Sequence, residues 1–431
     1  MIGLTVSLVA CGASGNDGGG ANGGGASGGT NSSGGQGQSG GGTAGGTAGL
    51  NGAGGAGGST LNGGSGGAFG GGNGGTSASG GNAGSGGTAP HSVGQCDSLG
   101  EKGLWEDITP PGVTLEPPYG GVLTVLTDPQ NSGTLYSLTS RSGVFKTTDC
   151  GASWTKVNTG RNADQLDLGL IWSAVIDPSD SQILYALTGY GPAGLWKTTN
   201  GGVDWDQTMP MDQGMPGFVA RVNMDPTNSQ HLIINFHEDC TGGHTALCLG
   251  ETTDGGTTWN VLDFPTELAS GWGEGTAVIP LDATHWLYSK WDLFYTSDAG
   301  STWKDVTPSA ALDVSVFHAA DGKYYMGSGY GVCVSSDGEN WSKIDNAGHG
   351  LDTVVGSATQ LFAVAGFFAP DPASDFIWSA NISDPTQWTL MPLTGMPSPL
   401  SSGSNGADYD LDHHVLYVAL QGEGLWRVVT E

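Results

Sequence analysis

Short apolar and aromatic runs, separated by Gly, Pro, Asp and Asn and lacking a sustained helical period, occupy the chain from Gly103 onward. Residues 171–177, 183–188, 194–199 and 204–209 form one unit of four such runs, A to D, each of strand length. Asp-Pro closes run A at Asp128-Pro129, Asp177-Pro178 and Asp225-Pro226, a pair that turns the chain and stops helix formation. Run B carries a Leu-Tyr pair at Leu135-Tyr136, Leu184-Tyr185, Leu287-Tyr288 and Leu416-Tyr417. In the next unit, runs C and D are joined by Thr252-Thr253-Asp254-Gly255-Gly256-Thr257-Thr258-Trp259. Its glycines reach positive φ without a Cβ clash, and its Asp carboxylate can accept backbone N–H groups inside the turn.

That stretch recurs. Asp149 and Trp154 mark one copy, Asn200 and Trp205 the next, then Asp298 and Trp303 after the Asp254–Trp259 copy, and Asp337 with Trp341 a copy one residue shorter. With a worn copy ending at Trp388, the tryptophans are spaced by 51, 54, 44, 38 and 47 residues. A period near 40–50 residues, with several short strands per repeat, predicts propeller blades. Seven A runs predict an all-β fold, a single seven-bladed β-propeller of four-stranded blades spanning 91–431. The seventh unit ends on the C-like run Gly424-Leu425-Trp426-Arg427-Val428, while residues 103–109 resemble a D run. The N- and C-terminal strands are therefore expected to share one blade and close the ring, which removes exposed edges.

The motif Ser/Thr-x-Asp-x-Gly-x-x-Trp resembles the Asp box, or bacterial neuraminidase repeat, found in sialidases, xyloglucanase-type glycoside hydrolases and sortilin-type receptors. The resemblance covers 103–431. It implies that the boxes lie in the C–D turns, on the face opposite an active site, and that their residues hold the blades together. Those residues are Asp149, Asn200, Asp254, Asp298 and Asp337, with Trp154, Trp205, Trp259, Trp303 and Trp341. Fold alone does not assign chemistry. Sialidases need an arginine triad, whereas this chain has Arg141, Arg161, Arg221 and Arg427 and lacks the Phe/Tyr-Arg-Ile-Pro motif; sialidase activity is not expected. The first-blade motif of the xyloglucanase type, Tyr-x-x-Thr-Asp-x-Gly-Gly-x-Tyr-Arg, aligns with residues 136–146 and places Ser140 where the catalytic Asp stands. Those enzymes also use two propellers, and one is expected here.

With the boxes on one face, the D–A and B–C connections line the other. They hold Asp167, Glu238 and Glu274, candidate carboxylates for an acid–base or nucleophile pair, which a glycosidase separates by ~5–9.5 Å. Trp172, Trp272, Arg141 and His237 are candidate substrate contacts on the same connections. Two function classes stand open: a glycoside hydrolase-like enzyme, or a non-catalytic module that binds a polysaccharide, glycoconjugate or protein partner. No cofactor is expected, and the protein is expected to be monomeric.

Charge and cysteine content narrow the setting. Acidic residues outnumber basic ones 41 to 12, for a formal charge of −29, which repels phosphate backbones and excludes nucleic acid as a partner. Leu8-Val9-Ala10-Cys11 resembles a bacterial lipobox, so residues 1–11 read as a lipoprotein signal peptide with Cys11 as the lipidation site. Residues 12–90 are a Gly/Ser/Ala-rich, nearly uncharged linker, expected to be disordered with a reach of ~50 Å. The order anchor, tether, head predicts export and lipid anchorage to the cell envelope, the membrane being met only through the lipid. Cys240 and Cys248 flank a loop where a disulfide is expected; its His and acid content leaves a metal as the other reading. Cys96 and Cys150 are a second candidate pair, and Cys333 is expected to be buried in a C strand.

Overall fold

The computed structural model describes residues 91–116, 120–210, 213–265, 277–290, 292–309, 315–366 and 376–431. Cys11, the linker at 12–90, Trp272 and Glu274 lie outside the described residues.

Among the described residues, seven four-stranded antiparallel sheets form the blades of a single propeller. Strands A to D of blade one are Val122–Thr127, Leu135–Thr139, Val144–Thr147 and Thr155–Lys156. Blade two has Ala174–Ile176, Leu184–Thr188, Gly194–Thr198 and Asp206–Gln207; blade three has Val219–Asp225, Asn228–Phe236, Cys248–Thr252 and Asn260–Asp263. Blade four follows with Ala277–Pro280, Trp286–Lys290, Asp292–Thr296 and Lys304–Asp305, and blade five with Val316–His318, Tyr324–Ser328, Gly331–Ser335 and Trp341–Ile344. Blade six is Leu351–Gly356, Gln360–Ala365, Ile377–Asn381 and Thr389–Leu390. Blade seven takes A to C from the end of the chain (Ser404–Asp410, Val415–Leu420, Gly424–Val429) and D, Trp105–Asp107, from its start. Trp105 pairs with Val428, Glu106 with Arg427 and Asp107 with Trp426, so the ring is closed as the two half-repeats predict.

Apolar clusters fill the gaps between blades. Tyr136, Leu138 and Val144 of blade one pack with Leu184, Ala186 and Trp196 of blade two; Val122 and Leu135 of blade one pack with Tyr417 and Leu425 of blade seven. The B strands lie in the middle of this packing: Leu135–Thr139, Leu184–Thr188, Trp286–Lys290 and Val415–Leu420 are buried along their whole length. Strand A of blade two is shorter than its apolar run. Leu170 is drawn into bridges with both Ser140 and Gly189, and Trp172 turns out of the sheet. The connection before it also contains a six-residue helix, Ala163–Leu168, too short to show a helical period in the sequence.

The C–D turns of blades one to five repeat one hydrogen-bonded arrangement. In blade three the Asp254 carboxylate accepts from Thr258 N (2.8 Å), Thr258 Oγ1 (2.7 Å) and Thr252 Oγ1 (2.9 Å), while Thr252 Oγ1 accepts from Gly256 N. The same contacts hold Asp149, Asp298 and Asp337, and Asn200 replaces the carboxylate in blade two with its Oδ1 accepting from Asp204 N. Hydrogen bonds from Thr258 and from Asn340 stabilise the ionised forms and hold Asp254 and Asp337 at about 2. The ring nitrogens of Trp205, Trp303 and Trp341 donate back to the glycine carbonyls of their own turns, and that of Trp259 reaches the Thr208 carbonyl. The residue after the Asp or Asn of these turns has left-handed φ: 59° at Cys150, 68° at Gly201 and 66° at Gly255. This aims its carbonyl at the preceding blade, where Tyr185 Oη and Lys197 Nζ both donate to Gly255 O at 3.0 and 2.8 Å.

Both expected disulfides are present, Cys96–Cys150 and Cys240–Cys248. The second removes the sulfur ligands from the metal reading of that loop. Cys333 is a free thiol buried in strand C of blade five, and burial pushes it up to about 11.

Candidate functional site

The face bearing the B–C and D–A connections, called upper here, carries an aromatic cluster between blades two and three. Phe218, in the connection leading into blade three, stacks on Trp172 (5.2 Å, 24°) and on His237 (4.4 Å, 8°). Tyr190 stands edge-on to Trp172 at 5.2 Å and to Phe218 at 4.9 Å, with His237 at 6.0 Å. Four rings from four connections thus make one surface. Phe218 is its floor, 9% exposed, and Tyr190 its open edge, 49% exposed.

Local backbone geometry holds the rings in place. The Trp172 indole N–H donates to Ala220 O, and the Arg221 guanidinium donates to Trp172 O, both at 3.2 Å. A register shift in strand A between Val219 and Arg221 sets Ala220 out of the ladder, as bulges do where a side chain must be re-aimed. His237 N donates to Phe218 O at 2.9 Å, and the disulfide Cys240–Cys248 closes the loop that follows His237. Gly189 lies directly against Phe218: a Cβ there would come 2.4 Å from the ring. The next residue, Tyr190, has φ of 48°, a left-handed conformation that non-glycine residues adopt at a cost and that clusters at ligand clamps.

Arg141 occupies the matching position in blade one. It too lies two residues past strand B, has left-handed φ (53°) and is exposed. Its backbone N–H donates to Gly169 O at 3.0 Å, beside the Ser140–Leu170–Gly189 bridges that continue to Tyr190. The Arg141 turn and the Tyr190 turn are therefore two steps of one short ladder, roughly 10 Å apart at sheet spacing.

The candidate acids fall into different settings. Asp167, on the helix Ala163–Leu168, pairs with Lys156 Nζ at 2.8 Å and accepts from Asn158 Nδ2 at 2.7 Å; these bonds fasten the helix to strand D of blade one. Glu238 is exposed beside His237. Glu274 and Trp272 are outside the described residues. Ser140 is 3% exposed, and its N–H donates to Gly121 O, so the position aligned with the xyloglucanase acid is a buried link of the ladder. Trp172 and His237 are brought together in the cluster. Phe218 and Tyr190 were not among the sequence candidates, although Gly189-Tyr190-Gly191 offered a signal, an aromatic set between glycines where a tight turn was expected. The same pattern at Gly329-Tyr330-Gly331 puts Tyr330 on the upper face of blade five, edge-on to His349 at 6.3 Å.

A surface of this kind presents apolar ring faces and edges with a polar rim, which suits ligands that combine C–H faces with hydroxyls. Comparison with known proteins adds a sequence relative and fold relatives. No family model matches the chain. A xyloglucanase of Hypocrea jecorina (strain QM6a) is 25% identical over 242 residues, covering 45% of this chain. The chain spans 27% of that relative's length. The solved structure of YCF48 bound to D1 peptide superposes with a TM-score of 0.53 at 15% identity, covering 80% of this chain and 100% of that one. The extracellular domain of a hybrid two-component system from B. thetaiotaomicron gives 0.52 at 13% identity, covering 76% of this chain and 40% of that one. These structural likenesses show the propeller fold; the sequence relative shows that part of this chain is similar to part of a xyloglucanase.

Proposed function

We propose that the protein is an exported propeller that binds extracellular carbohydrate on the Trp172–Tyr190–Phe218–His237 surface. The aromatic cluster carries this reading: one ring floor, one exposed edge and a strained turn assembled from four separate connections. The partial similarity to a xyloglucanase supports a saccharide as ligand. Two disulfides in the described residues suit an oxidising, extracytoplasmic compartment, in keeping with Cys11 as a lipid attachment site and 12–90 as tether. The C–D turns are read as Asp boxes that staple the blades and leave the upper face to the ligand.

Binding without turnover is favoured over hydrolysis because Asp167 is engaged by Lys156 and Asn158, and Ser140 replaces the acid of the resembling enzymes. Hydrolysis by Glu238 or Glu274 is the second reading, and the xyloglucanase similarity is what speaks for it. Glycan-array binding of the full chain, with a reducing-sugar assay run on every glycan bound, tests both. Binding lost in Trp172→Ala with no sugar released supports the first reading. Release of reducing ends that depends on Glu238 or Glu274 overturns it in favour of the second.

A further inference from the structure

We infer that the carbohydrate carries an isolated carboxylate, a uronic acid residue in an otherwise neutral chain, and that Arg141 is its anchor. The inference rests on the aromatic surface being the glycan site. Its starting point is the distribution of positive charge. The chain has 12 Lys and Arg residues against 41 acids. Almost all are engaged: Lys156, Arg161, Lys304, Lys323, Lys343 and Arg427 in ion pairs, Lys197 and Arg221 on backbone carbonyls, Lys146 over the Tyr136 ring. Lys290 also has an interaction. Among the described residues, the side chains of Arg141 and Lys102 alone make no hydrogen bond, ion pair or ring contact.

Lys102 lies on an exposed stretch before strand D of blade seven, under no visible constraint. Arg141 is different. Its backbone is held at left-handed φ by the ladder, which costs energy in a residue with a Cβ and fixes where the side chain starts. It is displayed on the upper face two ladder steps from Tyr190, and Asp167 on the nearby helix is already neutralised by Lys156. A free guanidinium in a fixed position matches the planar, bidentate geometry of a carboxylate. The formal charge of −29 works against a densely charged polymer at long range, so the fitting ligand has its acid groups far apart.

The test uses the full chain and matched oligosaccharide pairs: xylo-oligosaccharides with and without a glucuronic acid branch, and cello-oligosaccharides with and without oxidation of the primary alcohols to carboxylates. Calorimetric titration should give at least about tenfold tighter binding to the acidic member of a pair, the range of a charge-assisted hydrogen bond. Arg141→Asn, which tolerates left-handed φ, should level the pair by weakening only the acidic member, and Arg141→Lys should restore part of the preference. Trp172→Ala should weaken both members together. Equal or tighter binding of the neutral member, or a preference that survives Arg141→Asn with an unchanged melting transition, overturns the inference and leaves the carbohydrate reading standing. Failure of every pair to bind overturns both.

Discussion

Arg427 Nε donates to Glu106 Oε2 at 2.9 Å across the pair of strands that closes the ring. The same guanidinium donates to Cys150 O and Ser98 O, each at 2.7 Å, and Arg427 is 4% exposed. One buried cation thus ties the last strand to the first, to the segment before it and to the C–D turn of the next blade. Removing it leaves two carbonyls without that donor and the Glu106 carboxylate with only the Gly100 N–H, so Arg427→Ala should destabilise the fold by about 3–5 kcal/mol. Glu106→Ala leaves the guanidinium its two carbonyls and should cost only about 1–2 kcal/mol. Urea unfolding of the two variants checks the order; a larger loss for Glu106→Ala would contradict this account of the closure.

The two disulfides should separate in their effects. Cys96–Cys150 spans 54 residues and clamps the N-terminal segment to blade one, whereas Cys240–Cys248 spans eight and closes the loop after His237. By the loop-entropy relation the first contributes about 4 kcal/mol and the second about 2.5 kcal/mol. Replacing Cys96 and Cys150 by Ser should therefore lower the denaturation midpoint more. Replacing Cys240 and Cys248 should do less to stability and more to saccharide affinity, because His237 loses the support of the loop. Paired melts and titrations of the two double variants measure both.

A third relationship predicts a pH dependence. His231, 2% exposed in strand B of blade three, lies 2.8 Å from Asp225 Oδ2 and 3.2 Å from Glu251 Oε1. Burial alone would lower its pKa, but the hydrogen bonds and charges of the two carboxylates outweigh burial and raise it from 6.5 to about 9. A folded-state pKa above the unfolded one means that protonated His231 stabilises the fold fully below about pH 6.5 and ceases to do so as pH rises through about 9. The melting temperature should fall by several degrees between about pH 6 and about pH 9.5, and this slope should be absent in His231→Gln. Asp225 acts at the other end: its carboxyl is lowered, by His231 and Thr227 against burial, so its contribution is present above the ordinary carboxylate range and is lost as pH falls.

The fold was legible because its determinants are local and repeated. Five C–D turns write an Asp or Asn, a Gly and a Trp within eight residues, and the C-like run at Trp426 lacked a following D run until Trp105 supplied it. The candidate site was legible only in part. Trp172 and His237 stood out as residue types on connections that meet in the aromatic cluster, but Phe218 and Tyr190 join them through neighbour relations between blades that no local pattern records. Asp167 read as a free carboxylate because its partner, Lys156, comes from a D strand two residues long and meets it through a single helical turn and a half. Long-range pairing of this kind is set by tertiary packing rather than by periodicity.

Gly189 offers the sharpest test of the aromatic surface, because it acts without touching a ligand. An alanine Cβ there would stand 2.4 Å from the Phe218 ring, inside any tolerable contact, so either the ring or the Tyr190 turn must move. Gly189→Ala should cost about 1–3 kcal/mol as overpacking does, and should reduce saccharide affinity although Trp172, Tyr190 and His237 are all retained. Adding Phe218→Leu relieves the clash, since the smaller side chain can retreat from the new methyl group. The double variant should then regain stability without regaining affinity, a coupling that a thermodynamic cycle reads directly. Recovery of both together would mean that the Phe218 ring supports the turn but forms no part of the binding surface.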